Sequence, residues 1–352
     1  MRNLIDFGDM SREEWEQLYA RASQIIDAPE KFIDVCRGKV SCNLFYEPST
    51  RTNFSFQTAM LRLGGSVFGF ADPNSSSVAK GETLKDTIKM VSNYADVVVM
   101  RTPWEGSAKA ASLYSAVPVV NAGDGGHMHP TQTMADLTTI TRLRGKVDGL
   151  CIGLCGDLKN GRTVHSLIKA MAKFNDIKFF LISPRELAVP EYMRVFMKEH
   201  NMWYTEVTGL EPVIPQLDVL YMTRIQKERF VDPLEYERNK GIYILTRRKL
   251  ERAKPDMLVM HPCPVSTKLH RMWTTIPGPS ISSRPGLACS PAWPCWSIWH
   301  SSPGTTIPLR WRSAPSPSAT IPAASPRPET YLPPLIKKIG GVDCCGFCDA
   351  AL

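Results

Sequence analysis

Short apolar runs separated by helical patterns constrain this chain more than any other feature. "KVSCNLFY", "ADVVVMRT", "GLCIGLCGD", "IKFFLIS" and "LDVLYMTR" read as buried strands, and most lead through a polar loop into a helical pattern such as "TVHSLIKAMAKF". Repeated strand-then-helix units imply an α/β fold with parallel sheets. Two sheets fit, joined by the helical stretch "PTQTMADLTTITRLRG". The predicted organisation is therefore two domains, 1–140 and 141–262, each a parallel sheet flanked by helices, followed by a tail over 263–352. "SREEWEQLYARASQII" adds an opening amphipathic helix with Ser11 as N-cap and Glu14 three residues on. In such folds the sites lie at the C-terminal ends of the strands.

Composition enters chiefly through charge. The net charge of +8 invites a nucleic-acid partner, but the tail from Cys263 carries eight Lys or Arg against Glu329, Asp343 and Asp349, which leaves the first 262 residues at +3. No apolar run reaches the length of a membrane span, and "MRNLIDFGDM" is unlike a secretory signal, so a cytoplasmic protein with reduced cysteines is expected. Fifteen of the 28 prolines and five of the eight tryptophans lie in the tail, a composition that predicts irregular or disordered chain.

The strand ends carry the chemistry. "YEPSTRTNFSFQTAM" sets Ser49, Thr50, Arg51 and Thr52 at the start of a helix, where backbone N–H groups and a guanidinium together cradle an anion. Taken alone, a Ser or Thr cap with a surface arginine is the commoner origin of such a run. However, "RTP" at Arg101, "GDGGHMHPTQ" at 123–132, "GDLKNGRTVHS" with Arg162 and "YMTRIQKERF" with Arg224 and Gln226 fall at other strand ends. Four arginines there, two in each half, point to a cleft for a substrate with several negative charges. "SSSVAKGETLKDT", with Ser76 and Lys80, reads on composition alone as a solvated loop. No dinucleotide, P-loop or nucleophile-elbow motif occurs, and Cys345 and Cys348, beside Cys344, lack the second pair of a structural zinc site. No cofactor or metal is expected.

Taken together and in order, "FYEPSTRT", "KGETLKDT", "MRTP", "GDGGHMHPTQT", "GDLKNGRTVHSL", "YMTRIQKER" and "MHP" resemble the catalytic chains of the aspartate carbamoyltransferase family over about residues 1 to 262. The resemblance implies transfer of a carbamoyl group from carbamoyl phosphate to L-aspartate in pyrimidine synthesis. It also implies a homotrimer with shared sites, and regulatory chains as further partners. Ser49, Thr50, Arg51 and Thr52 would hold the phosphate with Arg101. Thr52, Arg101 and His129 would surround the carbonyl oxygen, and Gln132 would contact the carbamoyl amide. Arg162, Arg224 and Gln226 would bind the carboxylates of aspartate. Ser76 and Lys80 match residues that reach into a neighbouring subunit's site, where Lys80 would serve both substrates. The ornithine-specific H-C-L-P and S-M-G motifs are absent.

After "HP" the family pattern stops. Read one base out of register, Met272-Trp273 encodes Val and Trp273-Thr274 encodes Asp, and the codons around them permit Arg-Val-Asp-Glu-Ile, the family's own continuation. A frameshift near Cys263 accounts for the missing acids and the excess of proline and tryptophan. Cys263 and Pro264 then occupy the family's Leu-Pro positions, where backbone contacts to substrate are expected to survive. Loss of a docked terminal helix is expected to lower stability or activity, and the alternative function is therefore that of an impaired or inactive, non-catalytic carbamoyltransferase-like subunit.

Overall fold

Each predicted strand folds beside a neighbour that arrives through a helix. The computed structural model describes residues 3–223, 245–261 and 335–349. The described chain divides into two compact units, one of residues 1–138 with the C-terminal segment, the other beginning at residue 139.

In the first unit the elements run α1 (Arg12–Asp27), β1 (Val40–Phe45), α2 (Thr50–Arg62), β2 (Ser66–Phe70), α3 (Leu84–Val91), β3 (Val97–Thr102), α4 (Ser107–Ser112), β4 (Val119–Asp124) and the start of α5 (Pro130–Arg144). Helix α1 begins in the predicted capping box: Glu14 N–H donates to Ser11 Oγ and Ser11 N–H to Glu14 Oε2. The strands form a parallel sheet in the order β2-β1-β3-β4. Strands β1, β3 and β4 are buried along almost their whole length, whereas the edge strand β2 is largely exposed and carries Gly69 in its interior. Its short apolar run, Val67, Phe68 and Phe70, is broken by Gly69, which is why β2 is not evident in the sequence.

The second unit continues with β5 (Cys151–Cys155), α6 (Arg162–Met171), β6 (Lys178–Ile182), α7 (Glu191–Glu199), β7 (Trp203–Val207), β8 (Val219–Met222) and β9 (Leu258–Met260). Its sheet is parallel in the order β7-β6-β5-β8-β9. Among the described residues no helix is long and apolar enough to cross a membrane, and no three His, Cys, Asp or Glu gather as a metal site.

One device sets the register of both sheets. Asp96 precedes β3, and its Oδ2 accepts the N–H of Val40, the first residue of β1, at 2.9 Å, while Asp96 N–H returns a bond to Val40 O. Asp218 precedes β8 and does the same with Cys151, the first residue of β5, at 2.9 Å. Each carboxylate is closed by a lysine, Lys39 or Lys254, and Asp218 also meets Arg144. With the N-terminal ends so aligned, the C-terminal ends finish level: Phe45 pairs with Arg101, and Cys155 with Met222.

The expectation of irregular chain over 263–352 fails at its end. Strands β10 (Ile336–Ile339) and β11 (Val342–Cys345) pair antiparallel, with Ile336 opposite Cys345. Gly340 and Gly341 both take positive φ, 58° and 81°, as a tight hairpin turn requires. Cys345, Phe347 and Cys348 pack on Ala110 of α4, and Lys109 Nζ donates to Gly346 O at 2.8 Å. Gly106 is the N-cap of α4, and a Cβ there would stand 2.7 Å from the Phe347 carbonyl carbon, so only glycine admits the segment. The rest of the tail, including Cys263 and Pro264, lies outside the described residues.

Burial pushes the Asp218 carboxyl up, but hydrogen bonds from Lys254 and the Cys151 N–H, with the nearby Arg144 charge, outweigh it and hold the group below the ordinary aspartate range. A depressed carboxyl stabilises the fold above its unfolded pKa of about 3.9, and that stability is lost as pH falls through the lower folded value. Asp218→Asn is therefore expected to lower Tm at pH 7 and to shrink the difference from the parent as pH drops below about 4. Thermal scans across that range check it; a constant difference would locate the effect in neutral packing.

Candidate functional site

In the first unit the level ends of β1, β3 and β4 bring three loops to one edge of the sheet. Ser49 occupies the N-cap position of α2, yet its hydroxyl donates to Thr52 Oγ1 at 2.9 Å and caps no backbone N–H. The opening turn thus keeps its amides without a side-chain cap, beside Thr50 and Arg51, whose side chains are exposed. A turn built this way suits an anion, because a capping oxygen would compete for the same N–H groups. Buried Asn53 anchors the turn to β1: its Oδ1 accepts from Asn43 Nδ2 at 3.1 Å and from Gln57 Nε2 at 3.0 Å.

Arg101, next to last in β3, lies beside Phe45 and is buried. Its Nη2 donates to Glu47 Oε1 at 2.8 Å and its Nη1 to Ala122 O at 3.4 Å, while its carbonyl accepts Tyr46 N–H. A buried guanidinium needs such compensation. Glu47 lies inside the motif that revealed Ser49 to Thr52, but its pairing with Arg101 is visible only once β1 and β3 are adjacent.

The loop after β4 is organised by Asp124. Its Oδ2 accepts Gly106 N–H at 3.0 Å and its Oδ1 Met128 N–H at 2.8 Å. His127 bridges two carboxylates, Asp124 from Nδ1 and Asp349 of the C-terminal segment from Nε2, each at 3.2 Å, and Lys337 pairs with Asp349. The turn delivers His129, buried and 3.2 Å from Thr131 Oγ1, to the start of α5. One helical turn on, Gln132 Nε2 donates to Asp136 at 3.0 Å. Ser76 and Lys80 stand on the loop after the edge strand β2, with Ser76 accepting Val78 N–H and Lys80 exposed in a short 3-10 turn.

In the second unit Arg162 is the first residue of α6, after β5. Thr223, at the end of β8, donates its N–H to Cys155 O at 2.7 Å, and its hydroxyl lies 3.4 Å from Asp157 O. Asp157 folds the loop before Arg162 by accepting Asn160 N–H at 2.9 Å. The ends of β5 and β8 are thus stitched together where the sequence places Arg162 and Arg224. Arg224 and Gln226 lie outside the described residues.

Residues 2–142 match the family model described as "Aspartate/ornithine carbamoyltransferase, carbamoyl-P binding domain", and residues 148–271 the one described as "Aspartate/ornithine carbamoyltransferase, Asp/Orn binding domain". The chain is 57% identical over 263 residues to the aspartate carbamoyltransferase catalytic subunit of Clostridium novyi, covering 75% of this chain and 86% of that one. It is 58% identical over 264 residues to that of Clostridium botulinum strain Eklund 17B, with the same coverage. Among solved structures it is similar to the catalytic subunit of M. jannaschii aspartate transcarbamoylase, with 40% identity, a TM-score of 0.76 and coverage of 85% of this chain and 98% of that one. The Trypanosoma cruzi enzyme in complex with carbamoyl phosphate aligns at 34% identity and a TM-score of 0.75, over 85% and 95% of the two chains.

Removing the Asp124 carboxylate leaves buried N–H donors of Gly106 and Met128 without their acceptor, so Asp124→Ala is expected to cost about 3 kcal/mol of stability. Denaturant unfolding of the variant measures it, and a loss no larger than that of a surface substitution would remove Asp124 as organiser of the loop.

Proposed function

The chain belongs to the aspartate/ornithine carbamoyltransferase family, and from that premise we propose that it transfers the carbamoyl group of carbamoyl phosphate to the amine of L-aspartate, giving N-carbamoyl-L-aspartate and phosphate for pyrimidine synthesis. The observation that carries this reading is the uncapped start of α2 at the same sheet edge as buried Arg101. Ser49, Thr50, Arg51 and the first amides of α2 hold the phosphate. Arg101, Thr52 and His129 face the carbonyl oxygen, where negative charge grows as the amine attacks the carbonyl carbon. Because Gln132 gives its N–H to Asp136, its amide oxygen remains the end suited to accept from the carbamoyl NH2. When the carbon–oxygen bond to phosphate breaks, the leaving group departs onto donors already in place, so the work is positioning and charge stabilisation.

Arg162, with Arg224 and Gln226, receives the carboxylates of aspartate. The same cations would repel the side-chain ammonium of ornithine, which favours the dicarboxylate. Ser76 and Lys80 serve the site of a neighbouring subunit in a homotrimer, Lys80 reaching both substrates.

The decisive assay measures carbamoyl-aspartate formation by the full chain, with ornithine as the competing acceptor. Turnover with aspartate alone is expected, and Arg51→Ala should lower kcat/KM by about a hundredfold or more, the scale of losing one preorganised donor to developing charge. Equal turnover with ornithine would overturn the substrate assignment. Shared sites predict a second result: Arg51→Ala and Lys80→Ala chains, each nearly inactive, regain activity when dissociated and reassembled together, because mixed trimers contain sites free of both substitutions. A mixture no more active than its parts would place Lys80 in its own subunit's site or in none.

A further inference from the structure

Arg162 opens α6 directly from the turn Asp157–Gly161, and Gly161, at the N-cap position, offers no side-chain cap. The direction in which Arg162 leaves the helix therefore depends on what holds that turn. Part of the answer lies within it, in the bond from Asn160 N–H to Asp157. The rest comes from two residues on different helices.

His165, on α6, is 1% exposed, and its Nε2 lies 2.8 Å from Leu158 O. A carbonyl oxygen only accepts, so Nε2 carries the proton and donates; in the neutral ring Nδ1 is then an acceptor. Tyr192, the second residue of α7, places its hydroxyl 2.9 Å from Nδ1 and donates to it, with the two rings edge to face at 81°. The Leu158 peptide is held from its other side as well, since Leu158 N–H donates to Leu187 O at 3.0 Å. Leu158 itself is fully buried. The imidazole therefore spans from α7 to the turn ahead of Arg162 and fixes one carbonyl in that turn. Apolar packing alone would not require a tautomer set at both nitrogens.

We propose that His165 and Tyr192 are positioning residues for the acceptor substrate. The relay Tyr192–His165–Leu158 locks the Asp157–Gly161 turn so that Arg162 presents its guanidinium to a carboxylate in one orientation. The inference rests on the carbamoyl-transfer reading, which gives Arg162 its carboxylate, and it assigns neither residue a contact with substrate. Its signature is a separation between the two substrates: aspartate binding depends on the relay, and carbamoyl phosphate binding, assigned to residues of the first unit, does not.

Three variants of the full chain test it. Tyr192→Phe keeps the ring and removes the donor; His165→Leu removes the relay; His165→Gln restores a donor near the Nε2 position. Tyr192→Phe is expected to raise KM for aspartate about three- to tenfold, the effect of one buried hydrogen bond. His165→Leu should raise it further, with His165→Gln recovering part of the loss. The values of kcat and of KM for carbamoyl phosphate should stay within about twofold of the parent. Hydrogen exchange gives a readout that needs no turnover: the amides of 158–162 should lose protection in Tyr192→Phe while β5 and β8 keep theirs. An unchanged aspartate KM, equal rises for both substrates or unchanged exchange in the turn would each overturn the proposal. If the parent chain fails to carbamoylate aspartate, the functional reading falls, and the exchange comparison still decides whether the relay holds the turn.

Discussion

Two aspartates, Asp96 and Asp218, hold the registers on which everything functional here depends. Parallel neighbours cannot be aligned by a tight turn, because each arrives through a long connection, and a slip of one residue would turn every side chain to the opposite face. In both units the carboxylate just before an inner strand takes the first N–H of its neighbour, and a lysine closes the remaining charge. These bonds lie at the end of the sheet opposite the candidate site, yet they determine that Phe45 and Arg101, or Cys155 and Met222, finish side by side.

What stands at the levelled ends is arranged for charge that arrives from outside. Ser49 sits where a helix cap belongs and spends its hydroxyl on Thr52 instead, so the first turn of α2 forgoes a stabilising bond that is ordinarily worth about 1 kcal/mol. Arg101 is buried and is balanced by Glu47, a partner that compensates the cation, while its Nη1 donates to Ala122 O and its own carbonyl accepts Tyr46 N–H, which holds its strand end in place. Local stability is given up where binding needs open donors, and it is recovered around the site by Asn53, Asp124 and Asp157, whose side chains shape the loops.

The C-terminal segment shows how much a few residues can do outside a family's pattern. Two glycines turn the chain, four consecutive residues on either side pair, and Cys345, Phe347 and Cys348 find an apolar seat on α4. Asp349 then adds a second carboxylate to His127, which ties this segment to the loop that carries His129.

The sequence by itself determined the α/β class, the strands buried on both faces, the capped first helix and the loops that carry Ser49 to Thr52, Arg101, His129 and Arg162. Each of these is a local signal: an apolar run, a capping box or a motif spelled within a dozen residues. Edge strands β2 and β7 escaped because their apolar residues form no unbroken run, Gly69 interrupting one and Thr205 with Glu206 the other. Only the tertiary structure decided that Glu47 compensates Arg101, that Asp96 and Asp218 set the registers, and that Tyr192 reaches the turn before Arg162 through His165. Except for His165 and Leu158, seven residues apart, those partners lie 27 to 67 residues apart in the chain, and a carboxylate or imidazole distant in sequence gives no local sign of what it will meet. Hydrophobic periodicity is a property of neighbours, whereas the pairing of buried charges and hydrogen bonds exists only after the sheets have brought distant loops to one edge.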